Sequence, residues 1–235
     1  MKRLKSALRF FAALAFLPAC WGLTRVFIDS IAFAAEKGDG FSAETLSLVG
    51  GIAAFVVTWA VLSRPVRAYV LAHELTHAMW GALFGAKASN LQVGEKGGSV
   101  KLTKSNMLIT LAPYFFPFYT FLVIIAALVT YAFLRPLPWL PLWMFAIGFT
   151  WSFHVLFTLE TLSGKQPDIT LYGRMFSWTF IYMANIAVVL LFLCCTTNLG
   201  FSDLAAFFVK RVLSAYSTTF GYVYDGINYV IERFR

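Results

Sequence analysis

Three long stretches of this chain carry no Lys, Arg, Asp or Glu: Ser105 to Leu134, Pro136 to Leu159 and Met175 to Ser202. Each exceeds the roughly 18 apolar residues that mark a helix able to cross the hydrocarbon core of a bilayer. A helix that is apolar on every side has no face to offer water, so such runs belong in lipid or in the core of a large protein. Of the 235 residues, 60% are hydrophobic and 13% charged. A soluble domain carries about a quarter charged residues, and a disordered chain far fewer apolar ones, so both classes are excluded. The sequence therefore reads as an all-α, multi-pass integral membrane protein. It is expected to have about six transmembrane helices in a single membrane domain, residues 1–235.

The formal net charge is +8. The basic residues Lys2, Arg3, Lys5, Arg64, Arg67, Arg135 and Arg233 sit in short connectors and at the two ends. They form no basic face interleaved with aromatics, so they speak for membrane topology and against a nucleic-acid partner. A cytoplasmic N-terminus puts the Arg64/Arg67 loop, Arg135 and the tail inside, and the acidic connector of Glu36, Asp39 and Glu44 outside. Lys87, Lys96, Lys101 and Lys104 then also fall outside, against the rule. The cysteines Cys20, Cys194 and Cys195 are odd in number, lie in apolar segments and show no CxxC spacing. Neither a disulfide framework nor a cysteine zinc site is expected.

Residues 1–64 read as two N-terminal spans. Leu17-Pro18-Ala19-Cys20 resembles a lipoprotein cleavage box. Arg9 interrupts the would-be signal region, however, and the apolar run continues past Cys20 to Phe27, so a retained span is expected. The second span runs from about Leu46 to Leu62 and stops at Ser63-Arg64-Pro65. Residues 65–173 form the expected core. Its third span, about Val66 to Phe84, is capped by Gly85. Period-two alternation in Asn90–Val93 and in Ser99–Thr103, on either side of a glycine-rich connector, then predicts a β-hairpin at about 88–103. The fourth span, Ser105 to Leu134, should bend at Pro113 and Pro117, which lack backbone donors. A fifth covers about Leu140 to Leu162, and the last lies within 174–202. The tail, 203–235, alternates apolar and charged patches, as interfacial helices do.

The third span carries His73-Glu74-Leu75-Thr76-His77. On a helix, residues four apart share a face, so both imidazoles can reach one metal ion. Glu74 stays adjacent without ligating, free to take a proton from water at the metal. Zinc suits nitrogen ligands, and a catalytic zinc keeps three protein ligands and one open position. Ionisable groups in the middle of an apolar helix cost about 2.5 kcal/mol or more for each charged residue. Such a cluster is therefore a functional hypothesis. For the third ligand the sequence offers His154, Glu160 and Asp168. His154 lies inside the fifth span, Glu160 near its end, and Asp168 after Pro167 in a break between spans.

His73-Glu74-x-x-His77 in a membrane helix, a hairpin after it, and Pro167-Asp168 near the start of a later span together resemble the site-2 protease family of intramembrane zinc metalloproteases. The resemblance covers about Ala68 to Gly173. It implies His73, His77 and Asp168 as ligands of one zinc ion per chain and Glu74 as the catalytic base; His154, from its place inside the fifth span, stays open as an alternative ligand or a partner behind the ligands. The family's Leu-Asp-Gly is replaced here by Pro167-Asp168-Ile169, its Asn-Pro run is reduced to Gln166-Pro167, and no PDZ-like insertion is present. The expected activity is hydrolysis of peptide bonds in membrane protein or peptide substrates, within or beside the lipid bilayer. A non-proteolytic protein that holds zinc or captures partner helices is the alternative. Ser99, Val100, Lys101, Leu102 and Thr103 form a strand along which an extended peptide could pair. Asn106, Tyr114 and Asn185 are further polar residues able to polarise a carbonyl, a role weighed against helix packing.

Overall fold

The computed structural model describes residues 2–37 and 42–234; Asp39 of the acidic connector lies outside them. The order of elements is α1 (Lys2–Glu36), α2 (Ala43–Val61), α3 (Val66–Leu83), β1 (Ala88–Gly94), β2 (Gly97–Leu102), α4 (Met107–Leu111), α5 (Phe118–Phe133), α6 (Leu140–Ser163), α7 (Pro167–Tyr172), α8 (Arg174–Thr196) and α9 (Phe201–Arg233). The chain is mostly helical with one small hairpin, as the patterning implied. Among the described residues α1, α2, α6 and α8 are long and apolar enough to cross a membrane. The region from Met107 to Phe133 would count as a fifth span, although it is bent by 82°. α3 falls outside this set because Arg67, His73, Glu74 and His77 lower the hydropathy of an 18-residue helix. The count by length and composition is thus four or five, against the expected six.

The expected fourth span is broken where its prolines stand. α4 ends at Leu111, Ala112–Tyr114 form a single 3-10 turn, and α5 starts after Pro117. Pro lacks the N–H that would bond four residues back, so neither Pro113 nor Pro117 can continue the ladder.

The chain forms two compact units, Met1–Gly40 with Tyr172–Arg235, and Phe41–Leu171. In the first, α1 runs unbroken through Pro18, and Leu23 and Val26 pack on Leu190 of α8 with Leu204 and Phe207 of α9. The tail is one long helix whose first half lies against α1. A Cβ on Gly22 would come within 2.8 Å of the Val212 Cα, and Arg211 donates to both carboxylate oxygens of Asp29 at 2.5 and 2.8 Å.

In the second unit α2 and α6 cross backbone to backbone. A Cβ on Gly51 would lie 2.0 Å from the Phe145 carbonyl oxygen, and one on Gly148 2.1 Å from that of Leu48. Two glycines on facing helices permit this approach, the usual device for close helix contacts in lipid. Phe55, Phe153 and Phe157 form the adjoining core, with Trp59 and Tyr69 against it. α3 ends in a Schellman turn. Gly85 adopts φ +71°, its N–H donates to Ala82 at 2.9 Å, and that of Ala86 donates to Gly81 at 2.8 Å. Only a residue that tolerates positive φ makes this turn cheaply. The strands then fold back onto α3, with Leu102 over Gly81 and Gly98 over Val70 and Glu74. β1 and β2 are antiparallel, with Ser89 opposite Lys101 and Gln92 opposite Ser99, and a bulge lies between Ser89 and Gln92. Asn90 takes up the bulge at φ 52°.

Candidate metal centre

His73 and His77 lie one turn apart on α3, and their rings meet edge to face with centroids 4.9 Å apart. Asp168, at the start of α7, faces both. Its Oδ2 is 3.5 Å from His73 Nε2 and 3.3 Å from His77 Nε2. Among the described residues these three form the group of His, Cys, Asp and Glu side chains able to hold a metal, with ligand atoms all within 4.8 Å of one another. Two ligands bound about 2.0–2.1 Å from a tetrahedral zinc lie about 3.3–3.4 Å apart. A charge-assisted N–H···O⁻ bond would be shorter, about 2.7–2.9 Å. The observed separations therefore match co-ligands of one ion better than hydrogen-bonded partners, and the donor set fits zinc.

The groups behind the ligands set which nitrogen is offered. His77 Nδ1 donates to the Ile109 carbonyl at 2.9 Å, since a carbonyl oxygen can only accept. The lone pair of Nε2 then points towards Asp168, where two facing lone pairs repel unless a cation or a proton sits between them. Ile109 can accept because the residue four positions on is Pro113, which has no N–H to claim that carbonyl. The break in the fourth apolar segment thus supplies the acceptor that orients the His77 ring. For His73 the partner is the Tyr69 hydroxyl, 3.4 Å from Nδ1. Tyr69 is fixed by stacking on Phe157 with centroids 4.6 Å apart and accepts from Thr161 Oγ1 at 2.9 Å. Tyr114, fully buried in the 3-10 turn, donates to Asp168 Oδ2 at 3.3 Å.

Glu74 is 7% exposed and lies under the hairpin. A Cβ on Gly98 would sit 2.9 Å from its Cγ, and the Val100 backbone amide faces its carboxylate. The acid that follows the first ligand is thus set beside β2. Of that strand's expected members, Ser99 to Leu102 lie in β2, while Thr103 falls beyond its end. There its N–H donates to the Lys87 carbonyl at 3.1 Å and its Oγ1 accepts from the Lys87 N–H at 2.9 Å.

The other candidates stand apart from these three side chains. His154, 7% exposed, is outside the metal-capable group and lines a small pocket whose other walls include His73, Tyr69, Thr76, Tyr119 and Thr150. Glu160 pairs with Arg64. Asn106 caps α4, accepting from the Ile109 N–H at 2.9 Å, and Asn185 donates to the Ile181 carbonyl one turn back at 2.9 Å. Of the three polar residues considered for polarising a carbonyl, Tyr114 is at the centre. Tyr69 and the Ile109 carbonyl were missed. Tyr69 could have been found, since it lies four residues before His73 on the same helix face. A main-chain carbonyl has no side-chain signature. Comparison with protein-family models, with curated proteins and with solved structures finds no match to the chain.

Proposed function

We propose that the protein is an intramembrane zinc metalloprotease, similar to the site-2 proteases, that hydrolyses peptide bonds of membrane protein substrates within or beside the bilayer. The observation that carries this reading is the convergence of two imidazole nitrogens and one carboxylate oxygen at co-ligand spacing, with a buried carboxylate one residue away. His73, His77 and Asp168 would hold the ion. When bound, zinc supplies a Lewis acid for the substrate carbonyl and lowers the pKa of water.

The chain's own groups do the rest. Glu74 accepts a proton from the attacking water as its oxygen bonds to the carbonyl carbon, and returns that proton to the amide nitrogen as the C–N bond breaks. Tyr114 and the Ile109 carbonyl keep Asp168 and His77 in place. The edge of β2 pairs with the substrate once it has unwound, satisfying backbone groups that a low-dielectric site would otherwise leave unpaired. The reading includes a cytoplasmic N-terminus, which the basic residues of the Arg64/Arg67 loop, Arg135 and the tail support.

The alternative, a protein that only stores zinc or captures helices, would be favoured by a closed site with four protein ligands. The three-membered donor group among the described residues supports the open, catalytic form instead. The test is Glu74→Gln. It should keep about one zinc per chain while cleavage of a membrane-embedded substrate is lost, and undiminished cleavage in that variant ends the proposal.

A further inference from the structure

Between Ala86 and Ser105 the hairpin carries Lys87, Lys96, Lys101 and Lys104 against a single acid, Glu95. Glu95 is engaged by Arg67 at 3.1 Å. Among the described residues no ion pair involves any of the four lysines. With a cytoplasmic N-terminus these four lysines fall on the outer side, where membrane topology gives no reason for an excess of positive charge.

The pleat of β2 sorts its side chains. Gly98 faces Val70 and Glu74, and Leu102 faces Gly81. Side chains alternate along a strand, so Val100 shares that inner face, and Ser99 and Lys101 project from the other. The bulge at Asn90 belongs to β1 and leaves the alternation of β2 intact. Lys101 is exposed and directly follows Val100, whose amide faces the Glu74 carboxylate. Its neighbour across the ladder on one side is the small, uncharged Ser89. On the other side β2 pairs with no strand among the described residues. A peptide that pairs along this edge sets one of its own side chains beside Lys101, where an opposite charge is attracted and a like charge repelled.

We infer that Lys101 selects extended peptide substrates bearing a carboxylate side chain next to the scissile bond. Lys87 and Lys104 extend the same positive field along the strand and draw such segments to it. The inference rests on the protease reading and deepens it by naming the substrate class.

The test uses the full-length, zinc-loaded protein in phosphatidylcholine nanodiscs, where no anionic lipid competes. The substrates are three single-span peptides that differ only in Glu, Gln or Lys at the residues flanking the scissile bond, which is located first by mass spectrometry of the Gln peptide. The kcat/KM values should rank Glu above Gln above Lys, by about two- to fivefold per step and mainly through KM. Lys101→Gln should flatten this order and Lys101→Glu should invert it, while Lys96→Glu, in the turn, should leave it unchanged. Binding of the same peptides to the Glu74→Gln protein, read by fluorescence anisotropy, should follow the same rank. Equal kcat/KM for the three peptides, or a rank that Lys101→Glu does not alter, overturns the inference and leaves the protease reading standing. A rank seen only when anionic lipid is added assigns the lysines to the leaflet and also overturns it. If none of the three peptides is cleaved or bound, both the inference and the protease reading fall.

Discussion

His77 donates its Nδ1 proton to the main-chain carbonyl of Ile109, 32 residues further along the chain, at 2.9 Å. That carbonyl is open to it because Pro113 cannot use it. Pro113→Ala would supply a competing N–H to Ile109 and loosen the His77 ring. Loss of a partner behind a metal ligand typically costs 10- to 100-fold in affinity. Zinc affinity, measured by competition with a chelator, should fall about tenfold in Pro113→Ala. An unchanged affinity would show that the ring is held by other means.

Asp168 and His154 make opposite predictions. Asp168 stands at co-ligand distance from both histidines, whereas His154 lies outside the metal-capable group. Asp168→Ala should lose stoichiometric zinc on dialysis, and His154→Ala should keep it. Metal analysis of the two purified variants decides between them, and retention in the first with loss in the second would reverse the ligand assignment.

Gly98 is where hairpin and helix come closest. A methyl group there would lie 2.5 Å from Val70 Cγ1, 2.7 Å from the Gln92 carbonyl oxygen and 2.9 Å from Glu74 Cγ. The Val70 and Glu74 side chains can yield, but the Gln92 backbone oxygen cannot without shifting the strand. Gly98→Ala should therefore cost about 1–3 kcal/mol of stability and displace β2 from Glu74. The measurements are the thermal midpoint in detergent and the kcat of the zinc-loaded protein, and both should drop.

The crossing of α2 and α6 gives a prediction remote from the chemistry. The atoms that a new methyl would meet at Gly51 and Gly148 are backbone carbonyl oxygens at 2.0 and 2.1 Å, with no side chain to rotate away. Either glycine changed to Ala should force the helices apart and cost about 3 kcal/mol. The double variant should cost less than the sum, because one separation relieves both clashes. A double-mutant cycle on unfolding in detergent reads this directly.

Much of this was legible in the sequence because it depends on local spacing. The four-residue interval between His73 and His77 places both rings on one face in any helix. The alternation around Gly94–Gly98 produces a hairpin, and Gly85 produces the turn that precedes it. Pro113 and Pro117 announced a break. What they did not announce was that the break leaves Ile109 with a carbonyl to spare, because that consequence exists only once α4 lies beside α3. The same holds for the glycine pair of α2 and α6, whose members are far apart in sequence and gain meaning only from each other. The resemblance, and the place of Asp168 after Pro167, favour it over His154, and the fold brings its carboxylate, and not His154, into the group able to hold a metal. α3 is left out of the count by length and composition for a physical reason: Arg67, His73, Glu74 and His77 lower its hydropathy.

α1 has a consequence of its own. At 1.5 Å per residue its 35 residues extend about 52 Å, whereas the hydrocarbon core measures about 30 Å. Even at a steep tilt of about 40° the rod still spans about 40 Å along the membrane normal. In a bilayer, then, α1 must jut beyond the oily layer like a mast, stiffened over part of its length by the antiparallel α9 and the Asp29–Arg211 clasp. Part of the helix would in this way reach into the watery phase on at least one side of the lipid.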